Sequence, residues 1–143
     1  MLYFLAPFIG WFVSGTMKFL IHFYQFGYHH AQQKTGNGGF PSTHATVVMT
    51  PTTLIGFSEG FISPLFGLGV TILWIVVMDA TGLRRYVGEH AKQLNSINRA
   101  FTSEEQNNLQ REEIGHSKIE VLGGIILGFL LGWLLHALGD KLI

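Results

Sequence analysis

Four apolar stretches of the chain are each close to the length that crosses a lipid bilayer. They cover residues 1–26, 41–57, 61–78 and 119–138. A hydrocarbon core about 30 Å thick needs a helix of about 20 mostly apolar residues. The second stretch is short and is interrupted by Pro51, but membrane helices tolerate breakers when neighbouring helices satisfy the freed backbone groups. The pattern predicts an all-α integral membrane bundle of about four transmembrane helices.

The rest of the chain is polar in two places, a loop at 27–39 and a longer stretch at 81–115. The longer stretch should hold a helical piece around 89–100. We therefore expect a polar loop or helical insertion between the third and fourth spans. No repeat or low-complexity segment divides the 143 residues, so the sequence predicts a single membrane-embedded domain over 1–143.

Charge is scarce and balanced in this chain. Charged residues make up 13% of it, against about 25% in soluble domains. Nine basic and nine acidic residues cancel, so no net charge or basic patch attracts nucleic acid. Cysteine is absent, which excludes disulfides, thiolate metal sites and cysteine nucleophiles. We expect the lipid bilayer, and not a nucleic acid, as the partner of this chain.

Three polar clusters should meet at one face of the membrane. If the chain crosses at each apolar stretch, residues 39–44, 79–85 and 115–120 all lie on the same side. Lys18 lies in the part of the first helix nearest to them, and an ionisable residue inside a span is usually functional. The sequence thus predicts one polar site assembled from several helices.

The predicted site combines cations, imidazoles and carboxylates. Its members are Lys18, Arg84, Arg85, His44, His116, Asp79 and Glu120. His116 and Glu120 stand four residues apart, so on a helix the carboxylate can orient the imidazole. A histidine held in this way can act as nucleophile or base, while a second histidine acts as general acid. Surrounding cations suit phosphoryl transfer, in which positioning and charge stabilisation do most of the catalysis.

Two helix starts should add backbone donors to this site. Helices are expected to begin after Gly39 and after Gly115, and the free N–H groups at a helix start favour an anion. Gly38 and Gly39 let the backbone approach a ligand closely, and Pro41 suits the first turn of a helix. We therefore expect these helix starts to help hold a phosphate.

Three segments resemble the motifs of a known family. They read Gly-Gly-Phe-Pro-Ser-Thr-His at 38–44, Asp-Ala-Thr-Gly-Leu-Arg-Arg at 79–85 and Gly-His-Ser-Lys-Ile-Glu-Val-Leu-Gly-Gly at 115–124. In this order they resemble the divergent branch of the type-2 phosphatidic acid phosphatases, which are related to bacterial acid phosphatases and vanadium-dependent haloperoxidases. The similarity runs from about Trp11 to Gly132, which is nearly the whole chain.

The resemblance implies a role for each polar residue. His116 would attack phosphorus with Glu120 holding its ring, and His44 would protonate the leaving group. Glutamate at position 120 replaces the aspartate of ordinary members, a departure that the divergent branch shares. The phosphate contacts that it implies are Lys18, Ser42 and the motif arginine, which is Arg84 or Arg85. From the residues themselves we add the backbone at Gly38 and Gly39, and Asp79 as an ion-pair partner of either arginine.

Two of these assignments depend on features beyond the motif itself. Lys18 is not followed by the Arg-Pro pair that ends the family's first motif, so its assignment rests on its position in the chain. His90 has the ordinary spacing after Arg84, but the residue four positions beyond it is Leu94, which cannot orient an imidazole. We therefore favour His116 over His90 as the nucleophile.

Together these features predict an integral-membrane lipid phosphatase. It would hydrolyse a phosphomonoester of a lipid or isoprenoid phosphate through a phosphohistidine intermediate. The candidate substrates are of the phosphatidate, phosphatidylglycerophosphate or polyprenyl phosphate class. No metal or other cofactor is expected, since the cations already neutralise the phosphate charge. The alternative is a non-catalytic lipid-phosphate binding or transport protein with the same cationic cradle, which would not need two histidines in acid and nucleophile positions.

Three glycines, at 124, 128 and 132, form a stripe along the last apolar stretch. Small residues at this spacing let membrane helices approach closely. The stripe predicts a packing face inside the bundle, which is the commoner use, or a homodimer contact through Gly124, Gly128 and Gly132.

The charges are distributed unevenly across the predicted membrane. Only Glu59, Asp140 and Lys141 fall on the far side, and eight of the nine basic residues fall on the side of the site. Short loops rich in lysine and arginine usually remain cytoplasmic. This asymmetry predicts a site at the cytoplasmic face.

Overall fold

The computed structural model describes residues 1–26, 39–101, 109–112 and 114–142, and its regular elements are helices. In chain order they are α1 (Leu2–Phe26), α2 (Thr43–Glu59), α3 (Pro64–Met78), a π-helical turn (Asp79–Leu83), α4 (Arg84–Phe101) and α5 (Lys118–Leu142). Within those ranges no strand occurs. The predicted all-α bundle is therefore confirmed.

The third apolar stretch continues into α4 without a break. From Pro64 to Ala100 the backbone is helical for 37 residues, with the π turn between α3 and α4. No proline follows Pro64 in the sequence, so none interrupts the helical hydrogen bonds. The helical piece expected around 89–100 is thus the end of a longer helix, and the insertion before the last span begins as a continuation of α3.

Among the described residues, three helical segments are long and apolar enough to cross a membrane. These segments are Leu2–Gln25, Pro64–Ala100 and Lys118–Gly139. Three of the four predicted spans meet this requirement of length and composition, and the fourth, α2, has 17 residues and does not. Helix α2 instead packs against α1, α3 and α5. Many of its side chains meet protein rather than lipid, which lessens the need for an apolar surface.

Hydrogen bonds of its threonine hydroxyls allow the polar helix α2 to pack against α1, α3 and α5. Thr46 and Thr50 are completely buried. The Thr46 hydroxyl lies 2.9 Å from the Ser42 carbonyl oxygen and 3.1 Å from that of Gly124, and the Thr50 hydroxyl donates to the Thr46 carbonyl at 2.8 Å. Because a buried hydroxyl needs a partner, these bonds offset the cost of burial, and the contact with Gly124 joins α2 to α5.

The glycine stripe packs against α2 within the same chain. Gly124, Gly128 and Gly132 are all buried. A Cβ added to Gly124 would lie 2.4 Å from the Ser42 carbonyl oxygen, and one added to Gly132 would lie 2.4 Å from that of Thr50. The packing interpretation is therefore confirmed. The homodimer contact predicted through these three glycines is corrected, since α2 already occupies their face.

We expect Gly132→Ala to destabilise the bundle by about 1–3 kcal/mol, because the new methyl group would overlap the Thr50 carbonyl and force α5 away from α2. Gly67 on α3 is the matched control, since a Cβ there would meet nothing within 4 Å. Gly67→Ala should leave stability unchanged or raise it slightly. Unfolding of both variants in detergent, followed by circular dichroism, measures the difference. Equal stability of the two variants would contradict close packing of the stripe.

Candidate active site

The π turn places His116 against the end of α3. The His116 backbone N–H donates to the Ala80 carbonyl at 3.0 Å. Gly115 has a φ of 103°, and a Cβ there would lie 3.2 Å from the same carbonyl oxygen. Glycine is therefore required at this close approach. Single π turns are frequent at functional sites, and here the Ala80 carbonyl within the turn anchors the backbone of His116.

A capping box at the start of α5 holds the side chain of Glu120. The Ser117 hydroxyl accepts from the Glu120 N–H at 3.3 Å, and Glu120 Oε2 accepts from the Ser117 N–H at 3.0 Å. The same Oε2 lies 3.1 Å from Nδ1 of His116. Sequence reasoning did not identify Ser117, although the pattern Ser-x-x-Glu before an apolar run indicates this cap. The cap fixes the carboxylate that orients the imidazole.

The His116 ring is suited to act through Nε2, because Nδ1 is held by Glu120. When Nδ1–H donates to Glu120, the lone pair resides on Nε2. The His116 side chain is 5% exposed. Burial lowers the pKa of His116, and the positive charges of Lys18 and Arg84 lower it further, while Glu120 opposes them. A lowered pKa favours the neutral imidazole, which is the form that can act as a nucleophile.

We expect His116 to take up a proton only below the ordinary histidine pKa of about 6.5, because its pKa is lowered. Glu120→Gln should lower the pKa further, since the carboxylate is the group that raises it. Nitrogen-15 NMR of labelled histidine, titrated in detergent, measures both values without depending on a substrate. Titration of His116 at or above the ordinary value, or an upward shift in Glu120→Gln, would contradict this electrostatic description.

His44 approaches His116 from the first turn of α2. The centroids of the two rings lie 5.7 Å apart, with the ring planes at 66°. The Ser42 N–H donates to the Glu120 carbonyl at 2.8 Å, which ties the start of α2 to the first turn of α5. His44 is exposed while His116 is buried. The two imidazoles therefore share one site, with His44 at its open side.

Ser42 is completely buried, and its hydroxyl caps α2 by accepting from the Ala45 N–H at 3.4 Å. Pro41 precedes this cap and lies two positions before Thr43, the first residue of α2, so its predicted place in the first helical turn is corrected. Gly39 has a φ of 90°, and a Cβ there would lie 3.0 Å from Nε2 of His22. Gly38 lies outside the described residues. The predicted phosphate contact of the Ser42 hydroxyl is thus not open to the surface in this structure.

Lys18 and Arg84 bring positive charge to the two histidines. Lys18 is 4% exposed on α1 and interacts electrostatically with Glu120 and with both rings. Arg84 Nε lies 2.5 Å from the Asp79 carboxylate, which confirms the predicted ion pair, and its charge also acts on both histidines.

A cleft of about 650 Å³ adjoins His116 between α4 and the segment that leads into α5. Its lining includes His116 and Glu120 together with the basic side chains of Arg85, Lys92 and Lys118. Arg85 is exposed. The predicted cations thus take different places: Arg85 lines the open cleft, whereas Lys18 is buried beneath the site.

His90 lies on the other side of α4. Lys92 lines the cleft, and residues two apart on a helix point about 160° apart. The His90 ring is exposed. The structure therefore brings His44, and not His90, to His116.

Asn95 holds the segment that precedes His116. Its side-chain amide donates to the Gln110 carbonyl at 2.7 Å and to the Glu112 carboxylate at 2.8 Å, and its carbonyl oxygen accepts from the Gln110 N–H at 2.7 Å. A Cβ on Gly88 would lie 2.5 Å from the Glu112 carbonyl oxygen. Asn95 is 2% exposed. The sequence offers no signal for this role, because an asparagine on a polar helix ordinarily faces water.

Comparison with known proteins extends the similarity over most of the chain. A family model described as "Divergent PAP2 family" matches residues 2–131. An uncharacterized membrane protein of Bacillus subtilis (strain 168), YuiD, is 35% identical over 111 residues, which cover 68% of this chain and 70% of that protein. No solved structure matches significantly. The range matched by the family model contains every residue of the site.

Proposed function

The chain belongs to the divergent PAP2 family, and from this premise we propose that it is an integral-membrane phosphatase of lipid or isoprenoid phosphates. Membership in the family indicates a phosphatase-like membrane protein. The proposal adds the reaction, which is hydrolysis of a phosphomonoester through a phosphohistidine intermediate. It also adds the substrate class, a phosphate ester whose apolar tail stays in the bilayer.

One observation carries the proposal. The His116 imidazole is buried and held at Nδ1 by Glu120 at 3.1 Å, and a second imidazole, that of His44, lies 5.7 Å from it between ring centroids. An oriented nucleophile beside a second acid–base group is the arrangement that covalent catalysis requires. A protein that only bound a lipid phosphate would need the cations but neither of these histidines.

In the first step, Nε2 of His116 forms a bond to phosphorus while the bond from phosphorus to the lipid oxygen breaks. The negative charge of the bound phosphate favours the protonated form of His44, and this form donates a proton to the departing alkoxide. In the second step, His44 takes a proton from water, the water oxygen bonds to phosphorus, and the nitrogen–phosphorus bond breaks to release inorganic phosphate. Proton transfer by a positioned side chain contributes about 10²–10⁴-fold to such steps.

Positive charge and backbone donors stabilise the phosphate oxygens in both steps. Lys18, Arg84 and Arg85 supply the charge, and the first N–H groups of α2, which precede the first intrahelical bond, supply donors. Ser42 supports them by capping α2, because its buried hydroxyl holds the Ala45 N–H. The site lies where α2 and α5 begin. The excess of basic residues on this side of the membrane favours the cytoplasmic face, which is part of the proposal.

Phosphate release from a panel of substrates tests the proposal. The panel contains phosphatidate, phosphatidylglycerophosphate and polyprenyl phosphates, each presented in mixed micelles with and without vanadate. We expect one class to be hydrolysed and vanadate to inhibit, since vanadate adopts the five-coordinate geometry of the transition state. Binding of these lipids without any turnover would instead support the non-catalytic binding protein.

A further inference from the structure

The π turn places Asp79 and Arg84 on the same face of the helix. In a regular α-helix, side chains five residues apart point about 140° away from each other. Here the Arg84 N–H donates to the Asp79 carbonyl, a bond that spans five residues and closes the wider π turn. The Arg84 side chain bonds to the same residue, with Nε 2.5 Å from Oδ2 of Asp79. The extra residue of the turn is therefore what brings these two side chains together.

The Asp79 carboxylate holds the guanidinium group of Arg84 by one nitrogen only. The contact is made through Nε. In the described part of the chain, the two terminal nitrogens, Nη1 and Nη2, have no hydrogen-bond partner. The Arg84 side chain is 40% exposed, so a ligand can reach it. A guanidinium group is planar, and its two terminal nitrogens can bind two oxygens of one phosphate. Because it is held at Nε, Arg84 keeps this pair of donors available for an anion.

Arg84 and Arg85 serve different parts of the site. The positive charge of Arg84 acts on the rings of both His44 and His116. Arg85 instead lines the cleft, where a Cβ on Gly115 would lie 3.0 Å from its Cγ atom. Neighbouring residues of a helix point about 100° apart, so the two side chains cannot take the same place. Of the two arginines, Arg84 is the one associated with both imidazoles.

We propose that Asp79 is the positioning residue of Arg84. By holding Nε, its carboxylate fixes the guanidinium group so that Nη1 and Nη2 bind two oxygens of the phosphate at His44 and His116. A long side chain that is already ordered loses less entropy when it binds a ligand. The proposal assigns the direct phosphate contact to Arg84, while Arg85 adds positive charge from the cleft. It rests on the proposed function, because it requires that the site binds phosphate.

The charge of Asp79 makes this role distinguishable from mere proximity to the site. Asp79 interacts electrostatically with His44, and a carboxylate near an anion site repels the anion. Removing a carboxylate that only lay nearby would therefore strengthen anion binding. Removing one that positions Arg84 should weaken anion binding, because the guanidinium group would lose its fixed orientation. The direction of the change in affinity separates the two roles.

Binding of orthovanadate to the purified full chain in detergent, measured by isothermal titration calorimetry, tests the proposal without turnover. We expect Asp79→Ala to weaken binding about two- to tenfold, the usual effect of having to order one long side chain. Asp79→Asn keeps an acceptor for Nε and should lose less affinity than Asp79→Ala. Glu89→Ala is the matched control, because Glu89 is an acid of α4 that lines the cleft. This control should leave vanadate binding unchanged or strengthen it.

A double-mutant cycle shows whether Asp79 acts through Arg84. Arg84→Met should weaken vanadate binding about 10–100-fold, because charge-assisted hydrogen bonds are lost. In the Arg84→Met chain, Asp79→Ala should no longer weaken binding, whereas a substitution that only disturbed the fold would weaken it there too.

The possible outcomes separate this proposal from the proposed function. Unchanged or stronger vanadate binding in Asp79→Ala, or a further loss in the double variant, would overturn the positioning role alone. Absence of vanadate binding by the unaltered chain would contradict the phosphate site itself, and the positioning role with it.

Discussion

Replacing His116 by alanine should abolish phosphate release, with a loss in kcat of at least about 10⁴-fold. The imidazole that Glu120 orients would be absent, and no bond to phosphorus could form at this position. The fold should persist, since the contact between this segment and Ala80 uses the backbone N–H. Activity on the best substrate of the panel, together with thermal unfolding in detergent, measures both expectations.

The His90→Ala variant is the control for this assignment. His90 is exposed on the other side of α4 and follows the ordinary spacing of the family's third motif. We expect it to retain activity within about threefold, because removal of a surface side chain far from the reacting atoms leaves transition-state binding unchanged. Loss of activity in His90→Ala, with retention in His116→Ala, would reverse the assignment of the nucleophile.

Replacing His44 by alanine should lower kcat for a lipid phosphate by about 10²–10⁴-fold, the usual contribution of a general acid. The loss should be much smaller for an aryl phosphate, because a phenolate leaves without prior protonation. The ring of His44 lies beside that of His116 at the open side of the site, where a leaving group would depart. The quantity to measure is the loss in kcat for the lipid phosphate divided by the loss in kcat for the aryl phosphate.

The neighbouring variant Thr43→Ala controls for disturbance of α2. Thr43 begins the same helix and is half-buried, so its truncation perturbs the local structure without removing an acid. We expect Thr43→Ala to affect the lipid and aryl substrates alike. Equal losses for both substrates in His44→Ala would indicate that His44 supports the structure of the site and does not act as the acid.

The helices could be predicted from the sequence because their signals are local. Apolar runs of bilayer length predict α1, α3 and α5, and glycines at four-residue spacing predict close packing of α5. The spacing of His116 and Glu120 correctly predicts their contact, since residues four apart share a helix face. Ser117 could have been found in the same way from its capping box.

The features that were missed depend on contacts between distant parts of the chain. The central position of α2 follows from its packing against three helices, and its threonines alone do not indicate it. The π turn has no sequence signature, yet its Ala80 carbonyl anchors His116. Burial of Ser42 follows from the contact with Glu120 across 78 residues of sequence. Such pairings cannot be read from local periodicity.

Capture of the phosphorylated protein tests the central claim most directly. Brief incubation with the best lipid phosphate, followed by alkaline quenching and mass spectrometry, locates any phosphate on the chain. The account predicts phosphate on the His116 imidazole, its absence in His116→Ala, and its accumulation when water attack is slowed. Phosphate on another residue, or rapid turnover with no phosphorylated protein under any condition of quenching, would contradict it.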